Sequence, residues 1–315
     1  MKPVVFTLFL TAFLAYYIYT PLPEGLQEQW KLMLLDTTFR TATKYAGLKR
    51  WLGYDYTLSI REFRALDPGA DDQFVPVVKV SDETFAGVPV RVYEAPGGEG
   101  KLRRGLMMMS AELDAVVVSV EYRLFPEVQF PVPYLDCLAA AKHFLSSEIL
   151  SKYSVDPERV AVSGDSAGGN LAAAVSQEIS QDSSVRVKFS VQALIYPAVQ
   201  ALDFNTPSAL QNQNVPILYR LTMAGSGCNT SEPTCLCSLQ QSRLTPELRS
   251  RFDWTQLLSP EHKKTYKPVV PSEGLEGILE KIPGLLDVRA FPILAESEVL
   301  SKCPKAYVLT CELTF

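Results

Sequence analysis

Two stretches of the chain, Asp114 to Tyr122 (DAVVVSVEY) and Phe189 to Tyr196 (FSVQALIY), are almost unbroken runs of apolar and β-branched residues. A strand with so little polar alternation has to be covered on both faces, which is the situation in a parallel sheet flanked by helices. The segments around them fit that reading. Pro133 to Leu150 has helical spacing, Val160 to Ser163 is a short strand, Gly168 to Ile179 is an Ala-rich helix, and Ala306 to Cys311 (AYVLTC) is another buried strand. Upstream, Val88 to Tyr93 (VPVRVY) and the apolar Gly105 to Met109 (GLMMM) also read as strands, and Trp30 to Trp51 predicts one or two helices packed over the main domain. Strands alternating with helices imply an α/β fold with a mostly parallel sheet and helices on both faces. Ala198 to Ser301 breaks the alternation, as an insertion covering one end of a sheet would.

Composition narrows the function. With 315 residues and 47% apolar content the chain can bury a large core as one domain or two. Its net charge of -5 lacks the basic excess of a nucleic-acid binder. Cys228, Cys235 and Cys237 cluster in the insertion. They offer three thiolates to a metal, but without the paired C-x₂-C spacing, so disulfides are the better assignment.

Val4 to Thr20 (VVFTLFLTAFLAYYIYT) is a run of 17 residues without a charge. As a helix it would be roughly 26 Å long, close to the ~27 Å hydrocarbon core of the endoplasmic reticulum membrane. The run closes on Tyr16, Tyr17, Ile18, Tyr19 and Thr20 instead of the small residues of a signal-peptidase site, so an uncleaved signal-anchor is expected over 1–20; a cleaved signal peptide is the alternative. Either leads into the secretory pathway. Lys2 and the α-amine precede the run, which puts the N-terminus in the cytosol and the body in the lumen. Asn229-Thr230-Ser231 is a glycosylation sequon that suits this compartment.

Gly164-Asp165-Ser166-Ala167-Gly168 fits Gly-x-Ser-x-Gly, with a strand before it and a helix after it. In that setting the turn holds the serine in a strained backbone, and Gly164 and Gly168 are expected to be small because nothing larger fits. Ser166 becomes the candidate nucleophile. The Ala167 N–H and the positive end of the following helix become the candidate oxyanion donors.

These residues, continued by Gly169-Asn170 and preceded by Glu121-Tyr122-Arg123-Leu124-Phe125-Pro126-Glu127, Phe130-Pro131 and Asp136, resemble the hormone-sensitive-lipase-like branch of the α/β-hydrolases. The N-terminal run, Gln211-Asn212-Gln213-Asn214-Val215-Pro216 and Tyr307-Val308-Leu309-Thr310-Cys311-Glu312 resemble its arylacetamide-deacetylase-like members. The resemblance implies an α/β-hydrolase fold, hydrolysis of acyl esters or amides by a serine nucleophile, and no cofactor. The expected layout is an N-terminal cap and linker over 21–87 and a hydrolase domain over 88–315, with its cap insertion at 198–301 lying over Ser166.

Two departures stand against that pattern. Where the family has His-Gly-Gly-Gly, the sequence runs Met109-Ser110-Ala111-Glu112. The five residues Ser110 to Asp114 are too short for a parallel crossover, so Gly105 to Met109 is expected to leave the parallel sheet or to pair antiparallel. The family's triad acid and histidine follow the strand matching Tyr307 to Cys311, and here Glu312 is followed by Leu313, Thr314 and Phe315. The fold is therefore expected in an incomplete form, without the His-Gly-Gly-Gly segment and the C-terminal strand and helix. His143 and His262 are the only histidines, and both read as ordinary surface residues. Three functions compete: an active ester or amide hydrolase, a non-catalytic membrane-anchored relative, and a variant product of a gene whose full product is active.

Overall fold

The computed structural model describes residues 2–22, 26–64, 78–95, 104–200, 206–213, 215–216, 258–263 and 283–310. In chain order the elements are α1 (Lys2–Ile18), α2 (Gln29–Trp51), α3 (Tyr56–Arg64), β1 (Lys79–Phe85), β2 (Val88–Glu94), α4 (Arg104–Leu113), β3 (Val117–Val120), α5 (Val132–Phe144), α6 (Ser147–Lys152), β4 (Ala161–Asp165), α7 (Ala167–Gln181), β5 (Val191–Ile195), α8 (Pro207–Gln211), α9 (Pro260–Lys263), α10 (Ser297–Lys302) and β6 (Lys305–Leu309). Two short 3₁₀ turns, Pro283–Leu286 and Pro292–Leu294, precede α10.

The strands form two three-stranded sheets, and among the described residues no ladder joins them. β1 and β2 make a hairpin around Ala86 and Gly87, both at positive φ, the two-residue turn that matches the twist of the strands. This hairpin begins before residue 88, where the sequence places the start of the domain. β3 pairs antiparallel with β2, Val90 opposite Val120. The expected strand in Asp114 to Tyr122 therefore forms, but in an antiparallel sheet and only half-buried. β4, β5 and β6 are parallel, in that order, with α7 as the crossover between the first two.

Gly105 to Met109 is not a strand. Arg104–Leu113 is a helix, and its residues explain why: Leu106, Met107, Met108, Met109, Ala111 and Leu113 are unbranched at Cβ, and no β-branched residue interrupts them. Ser110, fully buried near its end, donates to the carbonyls of Ala115 and Tyr93 and so ties the helix to β2. Pro133 to Leu150 is two helices, broken where Ser146 caps α6 by accepting from the Ile149 N–H.

Two cores flank α5. On one side Phe85, Val88, Val90 and Val92 of the hairpin pack with Ala140, Ile149 and Tyr153; on the other Tyr134, Leu145 and Leu150 pack with Val160, Ala174, Val175, Ile179 and Phe189. Among the described residues the parallel sheet is covered by α7 on one face. Ala161, Ser163 and Asp165 of β4 are exposed, and β6, expected to be buried, is exposed along its length, with Tyr307 at 66% and Val308 at 54%.

At the N-terminus, α1 is a helix of 17 residues exposed almost throughout. Among the described residues no helix is long and apolar enough to cross a membrane. α2 packs on α3 and on the end of α1. α3 reaches the body through Arg61, which donates to both oxygens of Glu127 at 2.6 and 2.7 Å.

Glu127 belongs to the loop after β3, and Asp136 fastens that loop to α5. The Arg123 backbone N–H and Nε donate to Asp136 Oδ2 at 3.0 Å, and its Nη2 donates to Oδ1 at 2.7 Å. The guanidinium beside Asp136 holds its carboxyl below the usual carboxylate range. A depressed folded-state pKa contributes stability above the unfolded value, and that contribution is lost as pH falls through the folded value. Because the Arg123 side chain is largely exposed, Asp136→Asn should cost about 1–2 kcal/mol at pH 7. In urea unfolding the gap between variant and parent should narrow below about pH 4. A gap that stays constant with pH would show that the ion pair contributes nothing.

Candidate active site

Asp165 ends β4 and Ala167 begins α7, so a single residue reverses the chain. That residue is Ser166, at φ 51 and ψ -114. A side chain in this region costs of order 1–3 kcal/mol and persists only where its surroundings hold it. The Ser166 N–H donates to Ile195 O at 2.9 Å, and Ser166 O accepts from Asn170 N and Ala198 N, both at 3.1 Å. The strain is therefore held by β5 and by the first turn of α7.

The glycines divide differently from expectation. A Cβ on Gly164 would stand 2.3 Å from the backbone carbon and oxygen of Gly168, so Gly164 has to be glycine. A Cβ on Gly169 would meet Pro197 at 2.9 Å. A Cβ on Gly168 would meet nothing within 4 Å. The sequence reading that both outer glycines are needed for space is corrected: the tight pair is Gly164 and Gly169, because what Gly164 meets is the backbone of Gly168, not its side-chain position.

Ser166 is half-exposed at the carboxyl end of the parallel sheet. Ala167 N–H is the first of α7 and has no helix carbonyl before it to accept it, so it is a donor available to an anion at the positive end of the helix. Two further side chains brace this helix, which sequence reading missed. Asn170 Nδ2 donates to Ala198 O and Ala290 O, both at 2.7 Å, and the buried Gln177 Nε2 donates to Pro292 O at 2.9 Å. Their signal is an amide side chain at each of two positions seven residues apart on the same face of α7, legible only once the returning segment is known. Through them residues 290–292 of the expected insertion lie along α7, and α10 packs on the same helix.

Among the described residues no side chain hydrogen-bonds Ser166 Oγ. His143 is half-buried in α5 with its ring 5.0 Å from Phe85, against the antiparallel hairpin. His262 lies in α9, and its side chain falls outside the described residues, as do Asn229, Cys228, Cys235, Cys237, Cys311 and Glu312. Cys137 is no alternative nucleophile, since burial pushes its thiol up to about 12. Burial also pushes the neighbouring Tyr134 up to about 12. Among the described residues no cluster of His, Cys, Asp or Glu could hold a metal ion.

Comparison with known proteins fits this geometry. A family described as alpha/beta hydrolase fold matches residues 99–235. Neutral cholesterol ester hydrolase 1 of Bos taurus is 44% identical over an alignment covering 96% of this chain and 82% of that protein. Arylacetamide deacetylase of Oryctolagus cuniculus is 38% identical, with coverage of 95% and 82%. The chain belongs to their family, the α/β-hydrolases. The fold alone is shared with a fungal esterase from Rhizomucor miehei, at a TM-score of 0.54 and 23% identity over 81% of this chain and 72% of that one. It is also shared with a bacterial heroin esterase, at 0.51 and 22% over 82% and 72%. The alignment with the bovine relative runs over 336 residues, more than the 315 of this chain, so the relative carries residues within it that this chain lacks.

The glycine geometry gives a paired expectation. Gly164→Ala should destabilise by about 3 kcal/mol, because backbone has to move. Gly168→Ala, in the first turn of a helix with open space, should be neutral or stabilise by up to about 1 kcal/mol. Thermal unfolding of the two variants checks this; equal losses would mean that the turn is built differently.

Proposed function

We propose that this chain is a serine hydrolase of carboxylic esters or amides, deacetylase or lipase-like, with slow turnover of its own. The observation that carries the reading is the strained Ser166 between β4 and α7, with the Ala167 N–H beside it. In the reaction, Ser166 Oγ adds to the acyl carbonyl carbon as its proton passes to solvent water, which returns a proton to the leaving alcohol or amine. The carbonyl oxygen takes the negative charge and is held by the Ala167 N–H, collapse expels the alcohol or amine, and water then releases the acid. Family relatives named as an ester hydrolase and a deacetylase support this class of substrate.

Slow turnover follows from what surrounds the nucleophile. Where the family has its glycine-rich donors, this chain runs into helix α4, and losing even one oxyanion donor costs about 10²- to 10³-fold. Without an imidazole on Oγ the serine is an ordinary alcohol. A second reading, a non-catalytic relative that binds an acyl ligand, is favoured by the same facts. The longer aligned stretch of the bovine relative favours a third, a variant of an active hydrolase. The same proposal puts α1 in the endoplasmic reticulum membrane as a signal-anchor, with a lumenal body glycosylated at Asn229 and no nucleic-acid partner. Support comes from the uncharged run and from Lys2 before it.

A fluorophosphonate probe, applied to the full chain and to Ser166→Ala, tests the activity. The expected result is weak labelling that is lost in the variant; strong labelling lost in the variant would show that another residue activates Ser166 and would overturn slow turnover. For the anchor, the chain expressed in cells should stay with membranes after alkaline extraction and shift in mobility with endoglycosidase. A body digested by protease outside sealed microsomes would rule out the lumenal placement.

A further inference from the structure

α2 carries an apolar stripe that no other part of the described chain covers. At about 100° per residue, Trp30 and Leu48, Leu34 and Leu52, and Tyr45 fall within roughly 60° of one another, with Trp51 at one margin. All six are exposed, Leu48 at 58% and Trp51 at 82%. Threonines fill the middle of the stripe, and their hydroxyls are satisfied inside the helix: Thr38 Oγ1 donates to Leu34 O at 2.9 Å and Thr41 Oγ1 to Thr37 O at 2.7 Å. Back-bonding of this kind removes their need for water. The face is thus less polar than its composition suggests.

Its flanks are cationic. α2 contains Lys31, Arg40, Lys44, Lys49 and Arg50 against Asp36 alone, in a chain whose net charge is -5. Lys44 lies on one margin of the stripe, and Lys31 and Lys49 lie on the other. Each sits over an aromatic ring, Lys31 over Trp30 at 5.6 Å, Lys44 over Tyr17 at 4.8 Å and Lys49 over Tyr45 at 5.6 Å. Lys31 also pairs with Glu28 and Lys49 with Glu62, so part of this charge is met locally.

The stripe is also continuous with α1. Thr20 Oγ1 donates to the fully buried Asp36 at 2.9 Å, and Arg40 donates to Asp36, to Thr20 Oγ1 and to Tyr17 O. Tyr17 meets Thr41 at 3.1 Å. These contacts fix the end of α1 against α2, and through Tyr17 and Thr41 that end reaches the edge of the stripe.

We propose that this face of α2 is a bilayer-contact surface, lying in the headgroup layer with its aromatic and leucine side chains in the acyl boundary and its lysines at the phosphates. An amphipathic helix with basic margins and tryptophans at its ends has the chemistry that an anionic lipid surface recognises. This deepens the membrane reading of α1 and rests on it. The consequence is that the body is held against the bilayer, not tethered at the end of a free linker.

The chain has three tryptophans, which supplies the test. Full-length Trp51→Phe/Trp254→Phe leaves Trp30 as the only indole, and Trp30→Phe/Trp254→Phe leaves Trp51. Each is incorporated into vesicles of equal parts phosphatidylcholine and phosphatidylserine, with and without acyl-brominated phosphatidylcholine. Both indoles should be quenched several-fold, and less in phosphatidylcholine alone. Leu34→Ser/Leu48→Ser, at exposed positions, should reduce quenching while the chain still floats with the vesicles and keeps its helical circular dichroism. Unquenched indoles in a chain that floats would overturn the α2 surface and leave the anchor standing. A chain that fails to float would overturn both. Burial of the indoles by concentration-dependent self-association without lipid would assign the face to a second copy instead.

Discussion

Among the described residues it is side-chain packing on helix α5, not a strand ladder, that joins the two halves of the molecule. The antiparallel and parallel sheets share no ladder among the described residues, so their relative placement depends on a helix that is apolar on opposite faces. Ala140 faces the hairpin, Tyr134 packs with α7, and the half-buried Phe144 touches both cores. A helix apolar on two sides is stable only when both are covered. Asp136 on the same helix, bonded by Arg123, ties the loop after β3 to α5.

The strained serine depends on the parallel half alone. Ile195 O and Ala198 N, which grip the Ser166 backbone, come from the end of β5 and the residues just after it. Tyr196, between them, is itself at positive φ and donates to Leu309 O in β6. An uninterrupted series of backbone hydrogen bonds thus leads from the exposed strand β6 to Ser166. The site's geometry is supported by an element that is itself covered on neither side.

How much of this was legible in the sequence differs between features. The elbow was, because a tight strand-to-helix reversal demands a particular set of residues and leaves no alternative conformation. β4, α7 and β5 were for the same reason. The pairing of β3 was not: Val116 to Val120 announces a strand, but β-branching says nothing of direction, and the direction came from helix α4. That helix is hard to see in the sequence because Leu-Met-Met-Met is apolar like a buried strand, and only its straight side chains favour a helix. Gly168 was misassigned because a motif marks positions and not what a Cβ there would touch. The bracing roles of Asn170 and Gln177 were illegible, since their acceptors lie 120 and 115 residues away.

The pairing of β5 with β6 joins Val191 to Lys305 across the whole stretch of chain between them. Closing so large a loop has an entropic cost that grows slowly with length but has to be met before any contact rewards it. β1, β2 and β3, by contrast, pair with close neighbours in sequence. The hairpin sheet therefore closes through short loops and β6 through a long one. On the ribosome the Ser166 turn would emerge well before the strand whose hydrogen bond steadies Tyr196 beside it, so the backbone that holds Ser166 is completed late.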